Sequence, residues 1–300
     1  MKYSIYISLF CFFLVSCSIP IDELPETKSK IIVQCEFSSG QDIDVYVYKG
    51  VGLPSFESLP EVPDSINIKM YVDFDYLAIH QTENASPHFQ ADFSAIPGQR
   101  FNLNIDMPFE GIEPVNASTI VPLSSNMNNI QVNLLTDTII DERRMSHVLL
   151  NFNIEDKNEE KYFELLIDRV QLAEIVEPVD TIWHEINLET DKVLLDPTKD
   201  PVRGITWLSE RRSFLIDYYE LEDKNISIPF SLDSPVSDLL SLLRYTLKTH
   251  TKDGFEFIKS YEKTKLNYQS DFPILVSNIE NGIGVFAAYN QSVTDQVISH

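Results

Sequence analysis

Asp42-Ile43-Asp44-Val45-Tyr46-Val47-Tyr48 alternates polar and apolar residues without interruption. A period of two puts Ile43, Val45 and Val47 on one face of an extended chain and the polar or amphipathic residues on the other, which is the pattern of a half-buried strand. Ile66-Asn67-Ile68-Lys69-Met70-Tyr71-Val72 and Arg100-Phe101-Asn102-Leu103-Asn104-Ile105 repeat it. Turn formers separate the three: Ser39-Gly40, the loop from Gly50 to Pro63 with Pro54 and Pro60, and Pro97-Gly98. Short alternating strands punctuated in this way, with no helical period between them, predict an antiparallel β-sandwich over residues 31–107. Roughly eighty residues close a small core.

Downstream, the proline-bearing segment 108–114 reads as a linker, and residues 115–300 read as a larger β-rich domain. Strands are expected over Ile130 to Leu135, His147 to Ile154, Tyr162 to Val170, Ile182 to Leu188, Phe214 to Tyr219 and Ile226 to Phe230, which are rich in β-branched and aromatic residues. One main helix is expected at about 235–250. Ser234-Pro235 supplies an N-cap with proline at the first helical position, and Val236, Leu239, Leu240, Leu243 and Leu247 recur at spacings of three and four. A continuation past Gly254 towards Tyr261 is open. The leucine stripe is expected to pack against the second sheet.

Upstream, Lys2, the apolar run from Ile5 to Val15, and Leu14-Val15-Ser16-Cys17 have the three parts of an export signal. The last four residues resemble a bacterial lipobox, whose cysteine is acylated and becomes the mature N-terminus. A signal peptide over 1–16, a lipidated tether over 17–30 and an outer-membrane location, facing the periplasm or, slightly favoured, the cell surface, follow from that resemblance. The run is too short for a spanning helix, which needs ~20 apolar residues. Cys35, in Lys30-Ile31-Ile32-Val33-Gln34-Cys35-Glu36-Phe37, falls on the inward parity of a strand and reads as a buried, inert thiol. Loss of residues 1–16 removes Lys2 and leaves 22 basic residues against 46 acidic ones, a net charge of −24. So acidic a chain disfavours nucleic acid as a partner, since that affinity is carried by lysine and arginine.

Near the C-terminus, Asn278-Ile279-Glu280-Asn281-Gly282-Ile283-Gly284-Val285-Phe286 places two glycines two apart before an apolar run, which reads as a tight turn feeding a closing strand. Asn278, Gly282, Gly284 and Phe286 are therefore expected to have a structural role. With the Ser-Pro-x-x-x-Leu-Leu segment and Lys30-Ile31-Ile32-Val33 after the lipobox, this motif resembles a Bacteroidota outer-membrane lipoprotein family known as domain of unknown function four-two-four-nine. The resemblance implies an immunoglobulin-like or transthyretin-like N-terminal sandwich and an accessory role beside a TonB-dependent receptor. It carries over no catalytic residues. The chain departs from the family pattern at Glu280-Asn281, where a small residue is expected.

Catalytic motifs fail one by one. Gly-x-Ser-x-Gly is absent, His184-Glu185-Ile186-Asn187-Leu188 lacks the second histidine of a zincin, and the six histidines are scattered without ligand spacing. Neither a metal nor a cofactor is expected. The candidate ligand or partner contacts are Trp207, which precedes Arg211-Arg212 in a turn-rich region, and Trp183. The expected function is an outer-membrane-anchored binding or accessory module, with a fimbrillin-like structural or adhesive subunit as the alternative and a hydrolase without a recognisable motif less favoured.

Overall fold

A computed structural model of the chain describes residues 30–50, 66–83, 86–108, 111–140, 143–155, 161–171, 182–184, 203–209, 211–233, 241–266 and 275–298. In chain order the first strands are β1 (Lys30–Ser38), β2 (Ile43–Gly50), β3 (Asn67–Val72), β4 (Asp75–Leu77), β5 (His80–Gln81), β6 (His88–Ala91), β7 (Arg100–Asp106) and β8 (Val115–Ile120). Then come β9 (Met127–Ile140), β10 (Arg143–Ile154), β11 (Tyr162–Gln171), β12 (Ile182–His184), β13 (Ile205–Leu208), β14 (Ser213–Asp217), β15 (Ile226–Asp233) and β16 (Ser241–His250). Helix α1 (Lys252–Leu266) and β17 (Ile283–Ile298) complete the described elements. The fold is mainly β, as the alternating stretches predict.

Three sheets arise. The largest runs β13-β14-β11-β16-β17-β1-β2-β6-β5, with β12 also paired to β11; a second runs β4-β3-β7-β8 and a third β15-β10-β9. The 16-residue β17 organises the first. At ~3.3 Å per residue it reaches about 50 Å, long enough to serve two sandwiches in series. Its first half, Ile283 to Tyr289, lies parallel to β1, and its second half, from Tyr289, lies antiparallel to β16. Two apolar cores follow. Val33, Cys35, Val45 and Phe286 pack against Met70, Phe101 and Ile105 of the four-stranded sheet, whereas Leu165, Leu243, Tyr245 and Ile216 pack against Leu150, Phe152 and Ile228 of the three-stranded sheet.

Cys35 is buried on β1, and burial in the first place, with Glu36 and Asp44 nearby, pushes its thiol pKa well up, as expected of an inert core thiol. Two expectations are corrected. Residues 241–250 form a strand instead of the second half of a helix: Leu243, Tyr245 and Leu247 face the core at a period of two, and β11 and β17 take the backbone hydrogen bonds on either side. Leucines four apart satisfy both periods, so the two flanking strands decide between them. Residues 234–240, including Ser234-Pro235, lie outside the described residues. The helix begins instead at Lys252, within the stretch left open by sequence, and buries Phe255 and Ile258 against Leu208 and Leu215 on the second face of the large sheet. The segment 108–114 is likewise the connection between β7 and β8, which pair antiparallel, so the first sandwich takes in β8 and the start of β17.

Candidate functional site

The outer face of the four-stranded sheet carries an unusual set of side chains. Register brings Lys69, Asn104 and Asn116 into one cross-strand row, and the backbone of Glu280 exchanges two hydrogen bonds with Asn116, at 2.8 and 3.4 Å, to extend that row by one residue. The adjacent row is Tyr76, Tyr71, Asn102 and Ser118. Residues directly opposite in antiparallel strands share a face, so both rows point away from the core. Between them lies an open groove of about 430 Å³, lined by Tyr71, Asn102, Asn104, Asn116, Ser118 and Glu280 among others. Asn104 Nδ2 donates to Asn116 Oδ1 at 2.8 Å, which orients both amides and leaves the Asn116 amide nitrogen to donate elsewhere. Tyr71 and Tyr76 meet edge to face with ring centroids 5.9 Å apart, which holds both rings in place.

The C-terminal motif positions one wall of this groove. Asn278 Nδ2 donates to the Phe286 carbonyl at 2.8 Å, and the Phe286 N–H donates to Asn278 Oδ1 at 3.0 Å. A side chain thus does for β17 what a neighbouring strand would do. Gly284 has φ +121°, and a Cβ there would collide with the Val33 carbonyl; a Cβ on Gly282 would lie 2.6 Å from Ile279. Lacking a Cβ, Gly282 and Gly284 let the chain approach the Ile31 and Val33 carbonyls of β1. Asn281 sits at φ 62°, a conformation that asparagine tolerates better than most residues, and its Nδ2 donates to the Pro114 carbonyl. That accounts for Asn281 in the Glu280-Asn281 departure, and Glu280 itself faces the groove.

A second cluster lies on the helix-covered face of the large sheet. Glu164 of β11, 1% exposed at its side chain, accepts from Ser213 Oγ at 2.6 Å and meets His250 Nε2 at 3.1 Å, Lys248 Nζ at 3.6 Å and Arg211 Nη1 at 3.7 Å. Arg211 Nη2 also donates to both carboxylate oxygens of Glu36 on β1, at 2.9 and 3.0 Å. Burial pushes the Glu164 pKa up, but the His250 hydrogen bond and the charges of Lys248, His250 and Arg211 outweigh it and hold the carboxyl far below the usual range. Serine, histidine and glutamate here do not make a hydrolytic triad. The carboxylate sits between the hydroxyl and the imidazole, so it is Glu164, and not His250, that receives the Ser213 proton donor. The cluster acts instead as an ionic clamp between the two halves of the sheet.

The structure separates the candidate contacts predicted from sequence. Trp207, on β13, is half-buried and packs on Phe214 with ring centroids 4.8 Å apart, at the rim of the second core. Arg211 belongs to the clamp. Arg212 is exposed at the turn beside it, with φ 49°. Trp183 lies on β12, paired through its backbone to Val170, and Cys17 falls outside the described residues. Sequence reading missed the groove because its rows come from separate segments; the one available signal was three asparagines on strands, where asparagine is disfavoured. No group of three or more histidine, cysteine or acidic residues that could hold a metal occurs among the described residues.

No curated protein matches the chain. Among solved structures, alpha-2-macroglobulin from Salmonella aligns with 95% of this chain and 16% of its own length, at 9% identity and a TM-score of 0.22, too low to carry an argument about fold or function. A family model described as Domain of unknown function (DUF4249) matches residues 18–295. The chain belongs to that family.

Proposed function

We propose that this protein is a lipid-anchored binding module of the outer membrane, held by an acylated Cys17 and accessory to a TonB-dependent receptor. The observation that carries the binding reading is the groove on the four-stranded sheet: between Lys69 and Glu280 it is built of a tyrosine ring and amides, where a merely solvated sheet favours β-branched residues. The anchor reading rests on Leu14-Val15-Ser16-Cys17 and on the short proline-containing tether that follows. The ionic clamp supports a module that presents its groove from a stiff frame, since Arg211 ties β1 of the first sandwich to β11 of the second.

Membrane fractionation and co-purification test this reading together. Wild-type protein expressed in its native host should sediment with outer membranes and, after detergent extraction, retain a β-barrel receptor; Cys17→Ser should release it to the soluble fraction. Soluble behaviour of the wild type, or the absence of any co-purifying barrel, overturns the proposal.

A further inference from the structure

We propose that the groove on the outer face of β4-β3-β7-β8 binds a neutral saccharide. This rests on the binding-module reading and names its ligand class. Four features point the same way. The lining combines the aromatic ring of Tyr71, against which Tyr76 packs from the neighbouring strand, with the amides of Asn102, Asn104 and Asn116. A sugar ring has an apolar C–H face and a rim of hydroxyls that donate and accept together, and an amide is the uncharged side chain that also does both. The Tyr71–Tyr76 edge-to-face pair and the Asn104–Asn116 hydrogen bond fix these groups in advance, which reduces the ordering cost of binding.

The asparagines also have a cost to the fold. Asparagine is depleted in strands, yet three occupy outward positions on the adjacent strands β7 and β8. Where a chain breaks a local preference with no packing gain in return, function is the usual reason. Of the three, the pair contact explains only Asn104 and Asn116. Asn102 and Ser118 make no side-chain hydrogen bond with other described residues and face the groove directly.

Other ligand classes fit less well. The net charge of −24 on the exported chain disfavours acidic glycans and phosphates, and on this face Glu280 at one end of the row offsets Lys69 at the other. A peptide bound by strand addition needs a free sheet edge, but the groove lies on a sheet face, where the backbone groups of β7 are already paired to β3 and β8.

Affinity gel electrophoresis of the purified full mature chain, without membrane or receptor, tests the inference independently of the anchor and of co-purification. Native gels would contain dextran, galactomannan, mixed-linkage β-glucan or xylan, with alginate as the acidic glycan and casein peptides as a separate competitor. At least one neutral polysaccharide should retard the wild type, and alginate should not. Tyr71→Ala and Asn102→Ala should each weaken that retardation about tenfold, while Tyr219→Ala, exposed elsewhere, should leave it unchanged. Thermal melting of each variant separates lost binding from lost folding; if Tyr71→Ala melts early, Asn102→Ala and Tyr76→Ala carry the test. Mobility unaffected by every neutral polysaccharide, retardation that survives these substitutions, or retardation abolished by casein peptides overturns the assignment.

Discussion

Asn278 and Phe286 exchange two hydrogen bonds, side-chain amide to backbone, across an eight-residue turn. The Phe286 N–H and C=O point away from β1, and the primary amide of Asn278 satisfies both at once. The motif Asn-x-x-x-Gly-x-Gly-x-Phe is thereby explained as one device: an amide that substitutes for a strand, and two glycines that let β17 close on β1.

Replacing Asn278 with alanine strands the buried N–H and C=O of Phe286. An unsatisfied buried polar group costs about 1–3 kcal/mol, so Asn278→Ala should lower stability by about 2–4 kcal/mol. Urea unfolding should show a lower midpoint with an unchanged slope. A midpoint equal to that of the wild type would mean that water replaces the amide.

Gly284→Ala should be more damaging, because the added methyl occupies the position of the Val33 carbonyl and the backbone sits at φ +121°. We expect a loss of about 3 kcal/mol or more, from strain and from lost β1–β17 pairing. Hydrogen exchange should locate the damage, with protection lost over Ile32–Ser38 before the second sandwich is affected. Uniform loss over both sandwiches would indicate that they unfold as one unit.

The clamp around Glu164 makes stability dependent on acid. Its folded pKa is held below the unfolded value, so its contribution is fully present above about pH 4.5 and falls away as the pH drops towards the folded value. Glu164→Gln should destabilise the protein at pH 7 by about 3 kcal/mol, since it leaves Arg211 and Lys248 short of a buried counter-charge. It should also flatten the decline in melting temperature between pH 5 and pH 3. An acid limb as steep as that of the wild type would assign the pH dependence to other carboxylates.

Trp207→Ala should act through packing. Trp207 is half-buried against Phe214 and the second core, and truncation there should cost about 2 kcal/mol. Its effect on saccharide retardation should be nil, because the groove lies on the other sandwich. Lost retardation with unchanged melting would move the binding surface to β13.

By itself, the sequence determined what period and residue chemistry can determine. Alternation placed Ile43, Val45, Met70, Phe101 and Cys35 inside, and the glycine spacing in Gly282-Ile283-Gly284 marked a tight turn feeding a closing strand. Tertiary structure decided the rest. Leu243 and Leu247 satisfy both a helical and an extended period, and only the hydrogen bonds offered by β11 and β17 make Ser241–His250 a strand. The pairing of Val33 with Gly284 spans some 250 residues, and the row Lys69, Asn104, Asn116, Glu280 gathers four segments onto one face. Periodicity is a local property of the chain, whereas strand pairing and the surfaces it assembles depend on contacts between residues far apart in it.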